Sequence, residues 1–219
     1  MIKSNFFTGT INAFIGILFL IFFISLGLLV AIFCRPLYYQ NIDEISAETG
    51  FSEDLIKENY DALIDYYNPF YSDELVLPSM PSSDAGISHF AEVKVIFNAF
   101  LALLIIAPIL LGILIFIQNK RKVSSYLLTS PIIMCVAPIV VGILCAIDFD
   151  ETFIFFHKIV FSNMDWYFDP LTDPIILILP HSFFLQCAVI LIISVLLGVT
   201  MLFGIYFITK RKTNPRNQS

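Results

Sequence analysis

Four stretches of the chain, 11–33, 95–117, 126–147 and 183–208, contain no Asp, Glu, Lys or Arg. Each is long enough to cross the hydrocarbon core of a bilayer as a helix, which takes about 20 apolar residues. Asn98 is the only strongly polar side chain of the second stretch and Gln186 of the fourth. Inside lipid each backbone amide and carbonyl must find its partner within the segment, so runs of this kind are helices rather than strands. Pro108, Pro131 and Pro138 are expected to bend or thin their helices locally. A soluble domain has no place for a chain that is 58% hydrophobic with a mean hydropathy of +0.86. The expected fold class is an all-α integral membrane protein, a single membrane domain of four transmembrane helices. Residues 35–94 and 148–182 form its extracellular cap, built of helices and loops.

The charges orient this bundle. Lys3, the loop cations Lys120, Arg121 and Lys122, and the tail cations Lys210, Arg211, Lys212 and Arg216 sit in short tips, whereas the two longer segments hold only Arg35, Lys57, Lys94 and Lys158. All 18 acidic residues lie in those longer segments. Short loops rich in Lys and Arg stay in the cytoplasm. Both termini are therefore expected inside and both acidic segments outside. The basic tips read as this retention signal, and no nucleic-acid partner is expected. The first apolar run is too long for a signal-peptide core and lacks a small-x-small cleavage site. Cys34, Cys135, Cys145 and Cys187 lie in or at the ends of the spans, where free cysteines pack as small hydrophobes.

Within the first outer segment, Asp43–Glu48 followed by Gly50 predicts a short helix with a glycine stop. Ser52 predicts the cap of a second helix carrying Leu55, Ile56, Tyr60, Leu63, Ile64 and Tyr67 at helical spacing, ended by Asn68-Pro69. Its acidic polar face favours packing over an anionic lipid surface. Tyr71 to Ser88 reads as a loop. Ser88 is expected to cap the helix of the second span, which puts His89 in the first turn, where the helix field disfavours imidazolium. The second outer segment is dense in aromatic residues and holds the sole tryptophan, Trp166; part of this is the interfacial aromatic belt. The apolar run Pro174–Leu179 is too short to span. It is expected to dip into the membrane or to wall a lipid-facing cleft.

His89 and His157 are the candidates for proton transfer, since imidazole is the side chain that exchanges protons near neutral pH. Desolvation by the rings of Phe155 and Phe156 and the charge of Lys158 are both expected to hold His157 neutral. Glu92 follows His89 by three residues and shares its helix face, where it would either orient a histidine or simply be solvated. Asp165 and Trp166 are candidates for lining a pocket, with turn roles for Asn163 and Asp165 as the plainer alternative. Arg35 is placed to hold a phosphate or carboxylate, or to pair with an acid of the cap. His181 is expected to be structural. The long spacings of the three histidines, without a His-Glu-x-x-His pattern, do not describe a zinc site, and no metal or other cofactor is expected. No nucleophile elbow, P-loop or dinucleotide fingerprint occurs.

Five elements together resemble the bacterial lipoprotein intramolecular transacylase family. They are the four-span topology, His89-Phe90-Ala91-Glu92-Val93 leading into the second span, Phe156-His157-Lys158-Ile159-Val160-Phe161, Asp165-Trp166-Tyr167-Phe168, and Pro180 followed by Phe183-Phe184 at the fourth span. The resemblance implies an enzyme of the bacterial plasma membrane with its active site on the outer face. Its substrate would be a lipoprotein whose N-terminal cysteine carries a diacylglyceryl thioether, met among membrane lipids. The reaction would move the sn-2 acyl chain to the α-amino group of that cysteine. His89 and His157 would be catalytic, with Arg35, Glu92, Asp165, Trp166 and Phe156 in binding or supporting roles. The residues leave the oxyanion donor open among Lys94, a cap tyrosine and backbone amides. The residues by themselves also admit another membrane acyltransferase or lipid hydrolase, which would act on free lipid. They admit too a non-enzymatic sensor or accessory subunit, in which replacing either histidine would change little beyond stability. A transporter is disfavoured because the spans carry no ionisable side chain.

Overall fold

The computed structural model describes the backbone of residues 2–212 and the side chains of residues 7–210. Lys3, Arg211, Lys212 and Arg216, four of the tip cations that orient the chain, lie outside the described side chains. All regular structure among the described residues is helical. In chain order the helices are α1 (Ile2–Phe33), α2 (Arg35–Tyr39), α3 (Ile42–Thr49), α4 (Glu53–Tyr66), α5 (Asp84–Lys120), α6 (Tyr126–Ile147), α7 (Phe149–Val160) and α8 (His181–Lys212), with a 3-10 turn at Pro174–Ile178 between α7 and α8. Helices α1, α5, α6 and α8 are the four that are long and apolar enough to cross a membrane. Pro108 lies inside α5, and Pro131 and Pro138 inside α6. Rows of large apolar side chains such as Ile105, Ile109, Ile113 and Phe116 on α5, and Ile132, Val136, Ile139 and Ile143 on α6, are exposed. Continuous apolar rows of this size suit a hydrocarbon solvent and not water.

The chain divides into two compact units. One comprises the residues up to Gly27, Ala102–Ile143 and those from Ile190 on. Its core joins Ile15, Leu18, Phe23, Leu111, Met134, Val195 and Leu202. Helix contacts here are close. A Cβ on Gly198 would overlap the Phe23 ring and one on Gly27 would come within 2.8 Å of Ser194 Cβ, while Ser194 Oγ donates to the Phe23 carbonyl at 2.8 Å. Buried Gln118 donates to Asn12, and Asn12 to Ser125, both at 2.7 Å. These bonds tie α1, α5 and the start of α6 together inside an apolar unit.

The second unit, Leu28–Leu101 with Leu144–Val189, holds both cap segments together with the adjoining ends of the spans. Gly50 ends α3 in the left-handed conformation at φ 74°, and Ser52 caps α4 by accepting from Leu55 N–H, as the local sequence predicts. The apolar stripe of α4 packs inward: Ile56, Tyr60, Leu63 and Ile64 are buried with Tyr38, Ile45, Leu75, Leu77 and Met80. Tyr38 stacks on Tyr60 with centroids 3.5 Å apart, and its hydroxyl donates to the Ile178 carbonyl at 2.6 Å. That bond anchors the 3-10 turn. Ile175 and Ile178 are fully buried in the cap core while Leu177 is exposed, so the run Pro174–Leu179 packs chiefly as a core segment. Six apolar residues carry no periodicity that separates a membrane-dipping segment from a core segment, and the Tyr38 anchor decides between them.

Helix α5 has 37 residues and a length of about 55 Å, well beyond the ~30 Å that hydrocarbon requires. Its first part, up to Leu101, belongs to the second unit. The helix begins four residues before Ser88. Ser83 is its cap, with Oγ accepting from Gly86 N–H at 3.0 Å and its carbonyl from Ile87 N–H. Ser88 therefore lies inside the helix, and His89 stands in the second turn. The helix field fades within the first turn, so it has little hold on that imidazole.

Candidate active site

Helix α7 starts at Asp148, whose carboxylate accepts from Glu151 N–H at 3.0 Å, and carries Asp150 and Glu151 in its first turn. Its last turn holds His157 and Lys158, the arrangement the helix dipole favours. Phe153 precedes His157 by one turn, and its ring lies 4.1 Å from the imidazole, centroid to centroid. The Trp166 ring closes on His157 from the following loop at 5.1 Å. Phe161 packs against both histidines, edge-on to His89 at 4.7 Å and stacked on His157 at 5.6 Å. Phe168 packs on His89 at 5.5 Å. The two imidazoles, 68 positions apart in sequence, thus meet with centroids 6.0 Å apart in an aromatic enclosure, and both are buried.

This enclosure sets their chemistry. His157 Nδ1 lies 2.8 Å from the Phe153 carbonyl. A carbonyl only accepts, so Nδ1 carries the proton and Nε2 of the neutral ring presents a lone pair. Burial lowers the pKa of His157; the hydrogen bond to Phe153 opposes this and the charge of His181 adds to it. Lys158 is exposed and has no part in the shift expected of it. His89 stands in the cap section of α5. Burial, then the neighbouring His157, lowers its pKa to about 4, with Asp165 acting in the opposite direction. Both rings are neutral at pH 7. His89 Nδ1 is buried without a hydrogen-bond partner, so no protein group fixes the tautomer of this second ring.

The other predicted residues divide into two groups. Glu92 accepts from Asn163 Nδ2 at 2.8 Å, and the Asn163 carbonyl accepts from Trp166 Nε1 at 3.0 Å. Asn163 Oδ1 also accepts from Asp165 N–H, the local turn expected of this pair. Asn163 thereby connects the helix that bears His89 to the ring that packs on His157. Phe156 meets His157 at 5.4 Å with an exposed ring. Arg35 is held elsewhere in the cap, paired with Asp61 at 2.8 Å and with Asp65. Lys94 donates to the Tyr71 carbonyl at 2.7 Å and lies over the Tyr66 ring. His181 pairs with Asp150 at 2.6 Å. The sequence reading did not single out Asn163 as a connector, nor Phe153, Phe161 and Phe168 as walls. The spacing of Phe153 and His157 by one helical turn was the available signal.

A profile of the family described as lipoprotein intramolecular transacylase Lit matches residues 13–184. The chain belongs to this family. It is also similar to the in meso structure of the membrane integral lipoprotein intramolecular transacylase Lit from Bacillus cereus, at 31% identity and a TM-score of 0.87, over 96% of this chain and 100% of the other. Two structures of that protein with one histidine replaced, by arginine and by alanine, match with TM-scores of 0.79 at 31% and 30% identity. No curated protein sequence gives a significant match. The chain is accordingly a multi-pass membrane enzyme of the lipoprotein transacylase family.

Proposed function

We propose that this transacylase moves the sn-2 acyl chain of a diacylglyceryl lipoprotein to the α-amino group of the same molecule's N-terminal cysteine, with the two buried histidines handling the protons. The observation that carries this reading is the pair of neutral imidazoles 6.0 Å apart, one with its accepting nitrogen fixed by a backbone carbonyl. An α-ammonium has a pKa near 8 and must lose a proton before it attacks. His157 Nε2 is suited to accept protons from the amine. As the N–C bond forms at the ester carbon and the C–O bond to glycerol breaks, the glycerol oxygen leaves with a proton. His89, with no tautomer imposed on it, is suited to deliver that proton from one nitrogen while regaining one at the other. Counted from the ammonium, the products are an amide, a free glyceryl hydroxyl and one proton released to water.

Donor and acceptor are parts of one molecule, so no acyl-enzyme is needed and no serine or cysteine nucleophile is required. The enzyme's larger contribution is to hold amine and ester together. In favourable intramolecular cases such positioning is worth about 7–11 kcal/mol of barrier. The aromatic enclosure of Phe153, Phe161, Trp166 and Phe168 supports this by excluding water and receiving apolar substrate. With Lys94 bound to Tyr71, backbone amides and cap tyrosines are the better oxyanion donors. The basic loop 120–122 supports cytoplasmic termini, with the cap and both histidines on the outer face.

The test is expression in a host that makes only diacylglyceryl lipoproteins, followed by fragmentation of a lipoprotein's N-terminal peptide in a mass spectrometer. Intact mass is blind to an isomerisation. An N-acyl cysteine bearing a monoacylglyceryl thioether is expected, reduced about 10²–10⁴-fold in rate by His89→Ala or His157→Ala at equal protein level. A free amine with both chains on glycerol, despite folded enzyme in the membrane, would overturn the reading.

A further inference from the structure

We propose that the Glu92 carboxylate is the receptor for the substrate's α-ammonium group, held in place for this by Asn163. The inference rests on the reading of the reaction just given and names the contact through which the amine is bound. One carboxylate oxygen of Glu92 accepts from Asn163, but Oε2 is enclosed in the protein and has no hydrogen-bond partner. A shielded carboxylate oxygen left in this state is costly, and a charged acceptor more so than a neutral one. Relief from inside the cap is not at hand. Among the described residues Glu92 forms no ion pair; Arg35 is taken by Asp61 and Asp65, and Lys94 by Tyr71 and Tyr66. The two histidines are neutral and carry no charge to offer it.

The second unpartnered buried atom of this cluster is His89 Nδ1, three residues before Glu92 on the same face of α5. An anionic acceptor and an uncommitted imidazole nitrogen one helical turn apart describe a site for a compact cation that also exchanges a proton. A primary ammonium fits, with three donors on one small charge. The rings of Phe161 and Trp166 close to the histidines are compatible with a cation as well. The substrate brings one such group to its reacting atoms, the α-ammonium of the terminal cysteine. Bound as the cation on Glu92, it gives a proton to His157 Nε2 and attacks as the free amine. Glu92 thereby selects lipoproteins whose amine is still unmodified, and the N-acylated product, which carries no charge there, loses this contact and departs. Asp165 is the carboxylate whose charge acts on His89, but it is not among the enclosed unpartnered atoms and no side-chain donor among the described residues orients it, so it is the weaker candidate for this contact.

The experiment uses two non-transferable analogues, S-diacylglyceryl cysteinyl peptides with an ether in place of the sn-2 ester, one with the α-amine and one with an α-hydroxyl in its place. Binding of each to the full-length enzyme in lipid nanodiscs is titrated for the wild type, Glu92→Gln and Asn163→Ala. The expected result is at least tenfold tighter binding of the amine analogue by the wild type. Glu92→Gln removes that preference and leaves the hydroxyl analogue bound as before. In turnover, Glu92→Gln raises KM for the natural substrate while kcat stays within a few-fold. Retained preference in Glu92→Gln, or equal binding of the two analogues by an active wild type, overturns the proposal and leaves the transacylase reading standing. If Glu92→Gln weakens both analogues alike and lowers kcat as Asn163→Ala does, Glu92 is structural and the proposal fails. Absence of the N-acyl product from the wild type is the separate result that removes the reading beneath it.

Discussion

Gly86→Ala is the substitution whose consequences can be worked furthest. A Cβ at this position would collide with Asp173 Oδ1, approach Asp173 Cγ to 3.1 Å and lie 3.5 Å from Phe168. Asp173 has no room to yield: it is 2% exposed, accepts from Ser83 N–H at 2.8 Å and from Thr172 Oγ1 at 2.7 Å, and so fixes the residue that caps α5. Displacing it forfeits a charge-assisted hydrogen bond of about 1.5–3 kcal/mol. Alanine returns about 1 kcal/mol of helix propensity over glycine. The net loss is about 0.5–2 kcal/mol, a fall of up to a few degrees in the midpoint for a chain of this size. Because His89 is one helical turn further on, and Phe168 packs on it, the reaction rate at 25 °C is expected to fall more than stability does. Thermal unfolding in detergent and the mass-spectrometric turnover assay read both quantities. The Asp173→Ala background removes the obstacle, so Gly86→Ala there should cost less than it does alone. A Gly86→Ala enzyme with unchanged midpoint and rate, or strict additivity with Asp173→Ala, would refute the reasoning.

Tyr38→Phe removes the donor to the buried Ile178 carbonyl and keeps the stack on Tyr60; a loss of about 1–3 kcal/mol is expected in denaturation, with the rate at 25 °C unchanged. Trp166→Phe deletes the bond to the Asn163 carbonyl and shrinks the ring against His157, so about 1–2 kcal/mol and a several-fold loss of kcat should appear together. Burial lowers the pKa of His89 to about 4 and that of His157 below its ordinary value. The unfolded chain protonates both near 6.5 while the native state holds them neutral, so stability should fall as pH drops from 6.5 toward 4 and be insensitive to them above 6.5. Midpoints measured across that range should vary less in a His89→Gln, His157→Gln double variant. The rate itself should keep rising toward pH 8, following the substrate amine and not the histidines.

The four spans were legible because a charge-free apolar run of that length has one stable solution in a bilayer, and α3 and α4 because Gly50 and Ser52 mark their boundaries in single residues. The start of α5 was not. Ser83 and Ser88 are equally good caps by composition, Gly86 argues for a loop, and only the hydrogen bonds from Asp173 to Ser83 N–H and from Gly86 N–H to Ser83 Oγ favour the earlier one. His89 and His157 were each recognisable as candidates. Their meeting was not, since it depends on the cap bringing α5 and α7 together across 68 positions of sequence. Part of the aromatic run 149–168 was assigned to the membrane interface and Trp166 to a pocket wall; Phe155 and Tyr167 are exposed, whereas the Trp166 indole N–H is committed to the loop that shapes the site. Arg35 resolved toward the plainer of its two readings because Asp61 and Asp65 recur one turn apart on α4.

The carbonyl that orients His157 belongs to the main chain of Phe153. In triads built from side chains the group that orients the histidine is itself a codon, open to loss by a single base change. Here the orienting group is present whatever residue occupies position 153, provided α7 remains helical. A genetic screen for the partner that orients His157 should therefore find none, and the positions it does return around His157 should be those that shape the walls of the site.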